Sequence, residues 1–228
     1  MPTRTKHHLL ALLMILFSSG FVCGQNEKKV AYGILIDNTG SMRSQFDQVT
    51  TLGKGVVGHV YLQGPISVFT FVGEMKSPLR ASGTEWSQDK IALENYIDDL
   101  FVRGGQTTLL DAISSMAKDL SAKVNSEKDA FAHATLILIT DGEDRESHIR
   151  QDDLIKELKQ TGIKVYAIGL VKELDSQGGL IRTESKRHKA EDLLKKITTE
   201  TGGRVVFPNS KSQGVGELMG QLFAPVTP

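Results

Sequence analysis

Cysteine is nearly absent: Cys23 is the only one in 228 residues, which excludes an internal disulfide framework. Aromatic residues make up 6% of the chain, too few to argue for a base-stacking surface. Lys plus Arg and Asp plus Glu are both 27, so no excess charge draws the chain towards nucleic acid. The apolar run "LLALLMILF", Leu9 to Phe17, falls well short of the ~20 residues that a membrane helix needs. Catalytic signatures are missing too. "GGQTTLL" has no lysine where a phosphate-binding P-loop requires one. The nucleophile-elbow pattern Gly-x-Ser-x-Gly does not occur after residue 24. His59, His133, His148 and His188 are scattered without metal-ligand spacing and are read as structural or exposed.

With 39% hydrophobic and 24% charged residues, the chain can build an ordinary globular domain around a sizeable core. Its first residues read differently. "MPTRTKHH" supplies a positive start, the short apolar run follows, and Val22 and Gly24 stand at the minus-three and minus-one positions of a cut before Gln25. Residues 1–24 are therefore expected to be a secretory signal peptide. Cys23 raises a lipid anchor as an alternative, against which Val22 and Phe21 stand where smaller residues are wanted; an uncleaved signal anchor is the other. Cleavage removes Arg4 and Lys6 and no acidic residue, leaving a net charge of −2 and no cysteine. A secreted chain without disulfides suits a periplasm or a bacterial cell surface. No mature transmembrane helix is expected.

The remainder alternates strand and helix. "VAYGILID", "PISVFTFVG", "HATLILITD", "IKVYAIGL" and "RVVFP" read as strands, and "EMKSPLRAS", which carries Pro78, as at best an edge strand. Helices are expected over "MRSQFDQVTTLGKGVVGHVYLQ", with Phe46, Val49, Val56 and Val60 inward, and over "WSQDKIALENYIDDL", with Ile91, Ile97 and Leu100 inward. Further helices are "TTLLDAISSMAKDLSAKV", "RQDDLIKELKQTG" ended by Gly162, "HKAEDLLKKITTETGG" and "VGELMGQLFAP". Trp86 is expected to pack at the start of the second of these. Residues 171–189 form a long link with a Gly178-Gly179 hairpin, beyond the roughly two to six residues usual between a strand and its helix. Buried strands that read as unbroken apolar runs, alternating with helices, indicate an α/β fold with a mainly parallel sheet covered on both faces.

In such sheets ligands bind beyond the carboxyl ends of the strands. Three segments fall there: "DNTGS", "RGGQTTLLD" and "TDGED". Residues two apart on an extended segment face one side, so Asp37, Thr39 and Ser41 can present a carboxylate and two hydroxyls to one point, with Gly40 letting the chain turn. Thr107 or Thr108 adds a hydroxyl, and Asp141 a second carboxylate. Such a set of hard oxygen donors suits a small dication. Thr108 with Asp111 fits a capping box, so both are read as helix caps. Glu143 and Asp144 are read as a solvated acidic loop. A haloacid dehalogenase-type phosphatase would need an aspartate where Thr39 stands.

"DNTGSM", "GGQTTLLDAI" and "LILITDGED", in this order and spacing, resemble the metal-ion-dependent adhesion site of von Willebrand factor type A domains. The resemblance covers roughly residues 28–225 and is strongest to bacterial secreted members. It implies a Rossmann-like three-layer αβα sandwich whose six strands lie in the order 3-2-1-4-5-6, with the third antiparallel. It also implies that Asp37, Thr39, Ser41, Thr107 and Asp141 hold a divalent cation. Mg2+ is expected first, with Mn2+ or Ca2+ as alternatives. Thr107 takes the threonine place because it stands four residues before Asp111. Thr39 departs from the usual serine but keeps the hydroxyl. The implied function is binding of a protein partner that offers a carboxylate to the cation. No catalysis, small-molecule substrate or nucleic acid is expected. The alternatives are a metal-dependent hydrolase or phosphatase on a Rossmann-like sheet, and a structural domain with an empty site.

Overall fold

β-Branched and aliphatic runs form the centre of the molecule. The computed structural model describes residues 28–71, 79–80, 86–105, 107–177, 185–210 and 213–224. The signal-peptide segment and the Gly178-Gly179 pair lie outside the described residues. β1 (Lys29–Asp37), β2 (Ile66–Phe71), β3 (Leu79–Arg80), β4 (Phe131–Thr140), β5 (Lys164–Gly169) and β6 (Val205–Val206) form one six-stranded sheet. The order is β3-β2-β1-β4-β5-β6, and only β3 runs antiparallel to its neighbour. This is the arrangement that the resemblance implies. Strand order reverses between β1 and β4.

Side chains alternate across these strands, and both faces are covered. Leu35, Leu136, Leu138 and Val165 pack with α3 (Leu109–Ser126), α4 (Gln151–Thr161) and α5 (Lys186–Glu200). Ile34, Ile36, Ile137 and Ile139 pack with α1 (Phe46–Val60), α2 (Lys90–Asp98) and α6 (Val215–Leu222). Two buried faces explain why the central strands are apolar throughout rather than at every second residue. α4 ends as expected: Gly162 takes φ 68°, a left-handed conformation that glycine adopts without strain, and its N–H closes the last turn on Leu158 and Lys159.

Several expectations are corrected. The first helix does not begin at Met42. Residues Gly40–Gln45 form a 3-10 turn, and the α-helix starts at Phe46. Phe46 is half-buried, and Leu52 and Val57 join Val49, Val56 and Val60 inside. α2 starts only at Lys90, with the Asp89 carboxylate accepting from the Ala92 N–H. It buries Leu93 and Ile97, while Ile91 faces solvent. The link after β5 is shorter than read, because Val171–Gln177 form a 3-10 helix and α5 begins at Lys186, capped by Ser185. Trp86 packs partly buried against the α3 side of the core, with Lys123 Nζ over its ring at 5.8 Å.

Candidate metal centre

β1 and β4 run side by side in parallel, with Ile36 opposite Ile139, so Asp37 and Asp141 leave the sheet as neighbours at the reversal point. Both carboxylates are buried, Asp37 at 0% and Asp141 at 1% exposure. Two unpaired carboxylates at this depth are expensive to keep charged. Burial, and after it the nearby Asp141 charge, raise the Asp37 carboxyl to about 7 against the opposing pull of the hydrogen bonds from Thr39 and Thr140. Burial likewise raises Asp141, against the pull of the Ser41 hydroxyl and the Glu143 N–H.

Hydrogen bonds orient each donor. The Thr39 N–H and Thr39 Oγ1 both donate to Asp37 Oδ1, at 3.0 and 2.7 Å. Thr140 Oγ1 donates to Asp37 Oδ2 at 2.7 Å, and itself accepts from the Gly142 N–H. Thr39 and Ser41 hydroxyls stand 3.1 Å apart. The extra methyl of Thr39 therefore leaves its hydroxyl where the loop needs it. With its proton on Asp37, Thr39 Oγ1 has lone pairs to offer elsewhere. Gly40 is not the reason for the turn: its φ is not left-handed, and a Cβ there would meet nothing within 4 Å. Ser41 reaches Thr39 because the 3-10 turn folds it back.

Asp141 Oδ1 accepts from the Glu143 N–H at 2.9 Å. Asp141 Oδ2 is buried and has no hydrogen-bond partner. Gly142, at φ 78°, carries the chain out of the strand, and a Cβ there would come within 3.0 Å of Leu194 Cδ1. Thr107 is buried in the loop before α3, and its carbonyl accepts from the Arg145 N–H at 3.0 Å. The first loop is tied in by Asn38, whose carbonyl accepts from the Arg103 N–H and whose side-chain amide donates to the Phe101 carbonyl. Direct bonds thus unite Asp37, Thr39 and Ser41. Asp141 joins them through the adjacent strand, and Thr107 through backbone contacts with the Asp141 loop.

Tertiary contacts reassign three residues. Asp111 is not half of a capping box. Its carboxylate accepts from the His148 and Ile149 N–H groups, at 2.9 Å in each case to its nearer oxygen, and His148 Nδ1 lies 3.0 Å away. Burial raises the Asp111 carboxyl, but the hydrogen bonds from His148 and Ile149 outweigh it and hold it below the usual range. Asp144 is not simply solvated. It accepts from the Leu110 N–H and the Ser147 hydroxyl, while Ser147 Oγ accepts from the Leu110 and Asp111 N–H groups. The orphan donors of the α3 N-terminus are thus met by the loop after β4, and Thr108, at the N-cap position, makes no side-chain cap bond. Thr140, Gln45 and Asn38 also support the site and had no sequence signal of their own. Gln45 Nε2 donates to the Leu170 carbonyl at 3.1 Å and ties the first loop to the end of β5.

The donors suit a small, hard dication. No group of three or more His, Cys, Asp or Glu side chains able to hold a metal occurs among the described residues, so such an ion would depend on hydroxyl oxygens. An open Asp141 oxygen and two carboxyls raised by burial are the features that an absent positive charge would relieve.

The molecule is a mainly parallel α/β sandwich with buried carboxylates and hydroxyls gathered on the loops at its reversal point. The chain belongs to the von Willebrand factor type A domain family, whose model matches residues 33–221. No curated protein is similar enough in sequence to match. The fold is shared by the pilus adhesin SpaC from Lactobacillus rhamnosus GG in its open conformation, at TM-score 0.62 and 14% identity over 86% of this chain and 30% of that one. It is also shared by proximal thread matrix protein 1 from the mussel byssus with a zinc-occupied MIDAS motif, at TM-score 0.62 and 20% identity over 86% of this chain and 47% of that one. The chain thus spans less than half the length of either.

Proposed function

We propose that this domain binds a protein partner through a divalent cation held by Asp37, Thr39, Ser41, Thr107 and Asp141. The observation that carries the reading is Asp141 Oδ2, a buried carboxylate oxygen without a partner beside a second buried carboxylate. Two carboxylates balance one dication, and neutral hydroxyls fill positions without adding charge. The cation would remain electrophilic towards one more anionic oxygen, which a partner's Asp or Glu supplies. Zinc in the mussel protein's motif supports a dication at the equivalent place. The all-oxygen donor set favours Mg2+ over zinc here, with Mn2+ or Ca2+ as substitutes.

Binding rather than turnover fits the surroundings. Hydrolysis at a metal needs a positioned base besides the ion. The three loops offer hydroxyls, which are weak bases, while Glu143 is engaged by Arg145 and Lys186, Asp144 by Ser147 and the Leu110 N–H, and His148 by Asp111. Residues 1–24 are proposed to direct export, placing the domain in the periplasm or on a cell surface. Among the described residues no helix is long and apolar enough to cross a membrane.

Titration calorimetry of the purified chain with MgCl2 is the direct test. Saturable heat that is lost in Asp37→Ala and Asp141→Ala supports the reading. Equal affinity in these variants sinks it. Metal-dependent hydrolysis of general phosphatase or esterase substrates, lost in Asp141→Ala, would replace it with the hydrolase alternative.

A further inference from the structure

Three large apolar side chains stand in solvent among the described residues: Leu62 at 77%, Ile91 at 70% and Phe101 at 61% exposure. Leu62 and Ile91 lie at the end of the molecule away from the metal loops. Leu62 sits in the turn between α1 and β2, next to Gln63, whose carbonyl accepts from the Val30 N–H at the start of β1, and Ile91 is in the first turn of α2, beside the Lys90–Tyr61 contact. Phe101 is at the other end. Its carbonyl accepts from the Asn38 side chain at 3.2 Å, and the Arg103 N–H donates to the Asn38 carbonyl at 2.8 Å. Asn38 stands between Asp37 and Thr39, so Phe101 is held against the rim of the candidate metal centre by the Asn38 side-chain amide on its carbonyl and by the main-chain bond of Arg103.

Arg103 lies over this ring, with Cζ 5.1 Å from its centroid. A guanidinium drawn to a ring face keeps its N–H donors available to other acceptors. Residues 38–46 and 100–108 contain Arg43 and Arg103, both exposed, and no acidic side chain; Asp47 and Asp99 flank them, and Asp98 pairs with Lys54. On the opposite rim, Glu143 is engaged by Arg145 and Lys186, and Asp144 by Ser147 and the Leu110 N–H. At Phe101 the rim therefore places exposed apolar surface directly beside the Arg103 charge. Rigid aromatics and arginines that frame a central anchor carry most of the binding energy in protein interfaces, because little side-chain entropy is lost when they are covered.

We infer that Phe101 and Arg103 form a preformed anchor that selects an acidic, apolar-flanked segment of a partner protein. One carboxylate of that segment completes the cation's shell. An apolar side chain beside it covers the Phe101 ring, and a second carboxylate or a carbonyl takes the Arg103 fork in bidentate geometry. The role of the cation in this scheme rests on the proposed function above; the role of the anchor does not.

The probe is a phage-displayed library of random linear dodecapeptides, panned on the wild-type chain in MgCl2 and eluted with EDTA. The expected consensus is Asp or Glu with a large apolar residue close by and a further acidic residue. Synthetic consensus peptide should bind Phe101→Ala and Arg103→Ala about tenfold or more weakly. Arg103→Lys keeps the charge but loses the fork and should recover only part of that loss. Mg2+ affinity by calorimetry and thermal midpoint should stay at wild-type values, because the clamps on Asn38 use main-chain atoms of 101 and 103. Peptides without apolar preference, equal affinity for Phe101→Ala, or no EDTA-eluted clone despite measured Mg2+ binding each overturn the inference. Peptides that bind without Mg2+ yet depend on Phe101 retain the anchor and remove the cation reading. Absence of both Mg2+ heat and binding peptides removes both.

Discussion

Asp141 carries the contradiction on which the site turns. In the absence of a cation its carboxylate is buried, raised in pKa by that burial, and left with one oxygen unpartnered. Asp141→Asn removes a charge while keeping an oxygen to accept from the Glu143 N–H. In EDTA at pH 8 this variant should be more stable than wild type, because a charge held in a buried place is removed. In Mg2+ the order should invert, because the variant loses its ligand. Paired denaturant melts decide, and an unchanged ranking in both buffers speaks against a metal role. Thr39 gives a finer test, since its hydroxyl connects Asp37 to Ser41. Thr39→Val preserves shape and should weaken Mg2+ binding by roughly 1–2 kcal/mol, whereas Thr39→Ser should be close to neutral. Calorimetry on the two variants reads the difference. The placing of Asp37 and Asp141 was legible in the sequence because the end of an apolar strand is a local property, whereas Ser41 meets Thr39 through a 3-10 turn and not through the alternation of an extended segment. Thr140 was not legible, since its donation to Asp37 depends on the pairing of β1 with β4.

The same division between local and long-range causes runs through the elements. Gly162 closed α4 as its position suggested, because a left-handed cap is a property of one residue. Ile91 does not mark the inward face of α2: the helix starts only at Lys90, and its inward stripe runs through Leu93 and Ile97. The α3 cap departs further from expectation. Thr108-x-x-Asp111 has the spacing of a capping box, yet the donors of α3 are met by Ser147 and Asp144, while Asp111 accepts from His148 and Ile149 in return. This exchange fastens the loop of Asp141 to the helix that follows Thr107. Asp111→Ala frees the Ile149 N–H, which is half-buried, and the exposed His148 N–H. It should cost about 2 kcal/mol of stability, within the range for unsatisfied donors. It should also weaken Mg2+ binding although Asp111 is not proposed as a ligand, because the Asp141 loop loses its tie. Chemical denaturation and calorimetry on one preparation test both parts. A stability loss with unchanged Mg2+ affinity would show that the α3 clamp supports the fold alone.

For the whole molecule, the candidate metal centre lies where the strand order reverses, between the two most central strands. Charge there is therefore coupled to the stability of the entire sheet. The sign follows from linkage. An unfolded aspartate titrates near 4, whereas in the folded, metal-free chain burial raises Asp37 to about 7 and raises Asp141 as well. Between those pH values the folded chain holds more protons than the unfolded one, so this pair makes the metal-free protein less stable as pH rises. Asp111 acts in the opposite direction: its lowered carboxyl contributes stability that is lost as pH falls through its folded value. A simple melting curve against pH mixes the two, and the difference between Mg2+ and EDTA isolates the site. A cation competes with protons for the same carboxylates, so its stabilising effect should be small near pH 5 and grow to a plateau above about pH 7. At a hundredfold excess over the dissociation constant the plateau corresponds to about 2.7 kcal/mol, or roughly 5–10 °C in midpoint for a domain of this size. Thermal melts at matched ionic strength, with MgCl2 or with EDTA at each pH, give the difference directly. Asp141→Asn should flatten it, and a difference that is constant from pH 5 to pH 8 would place the bound cation away from these two aspartates.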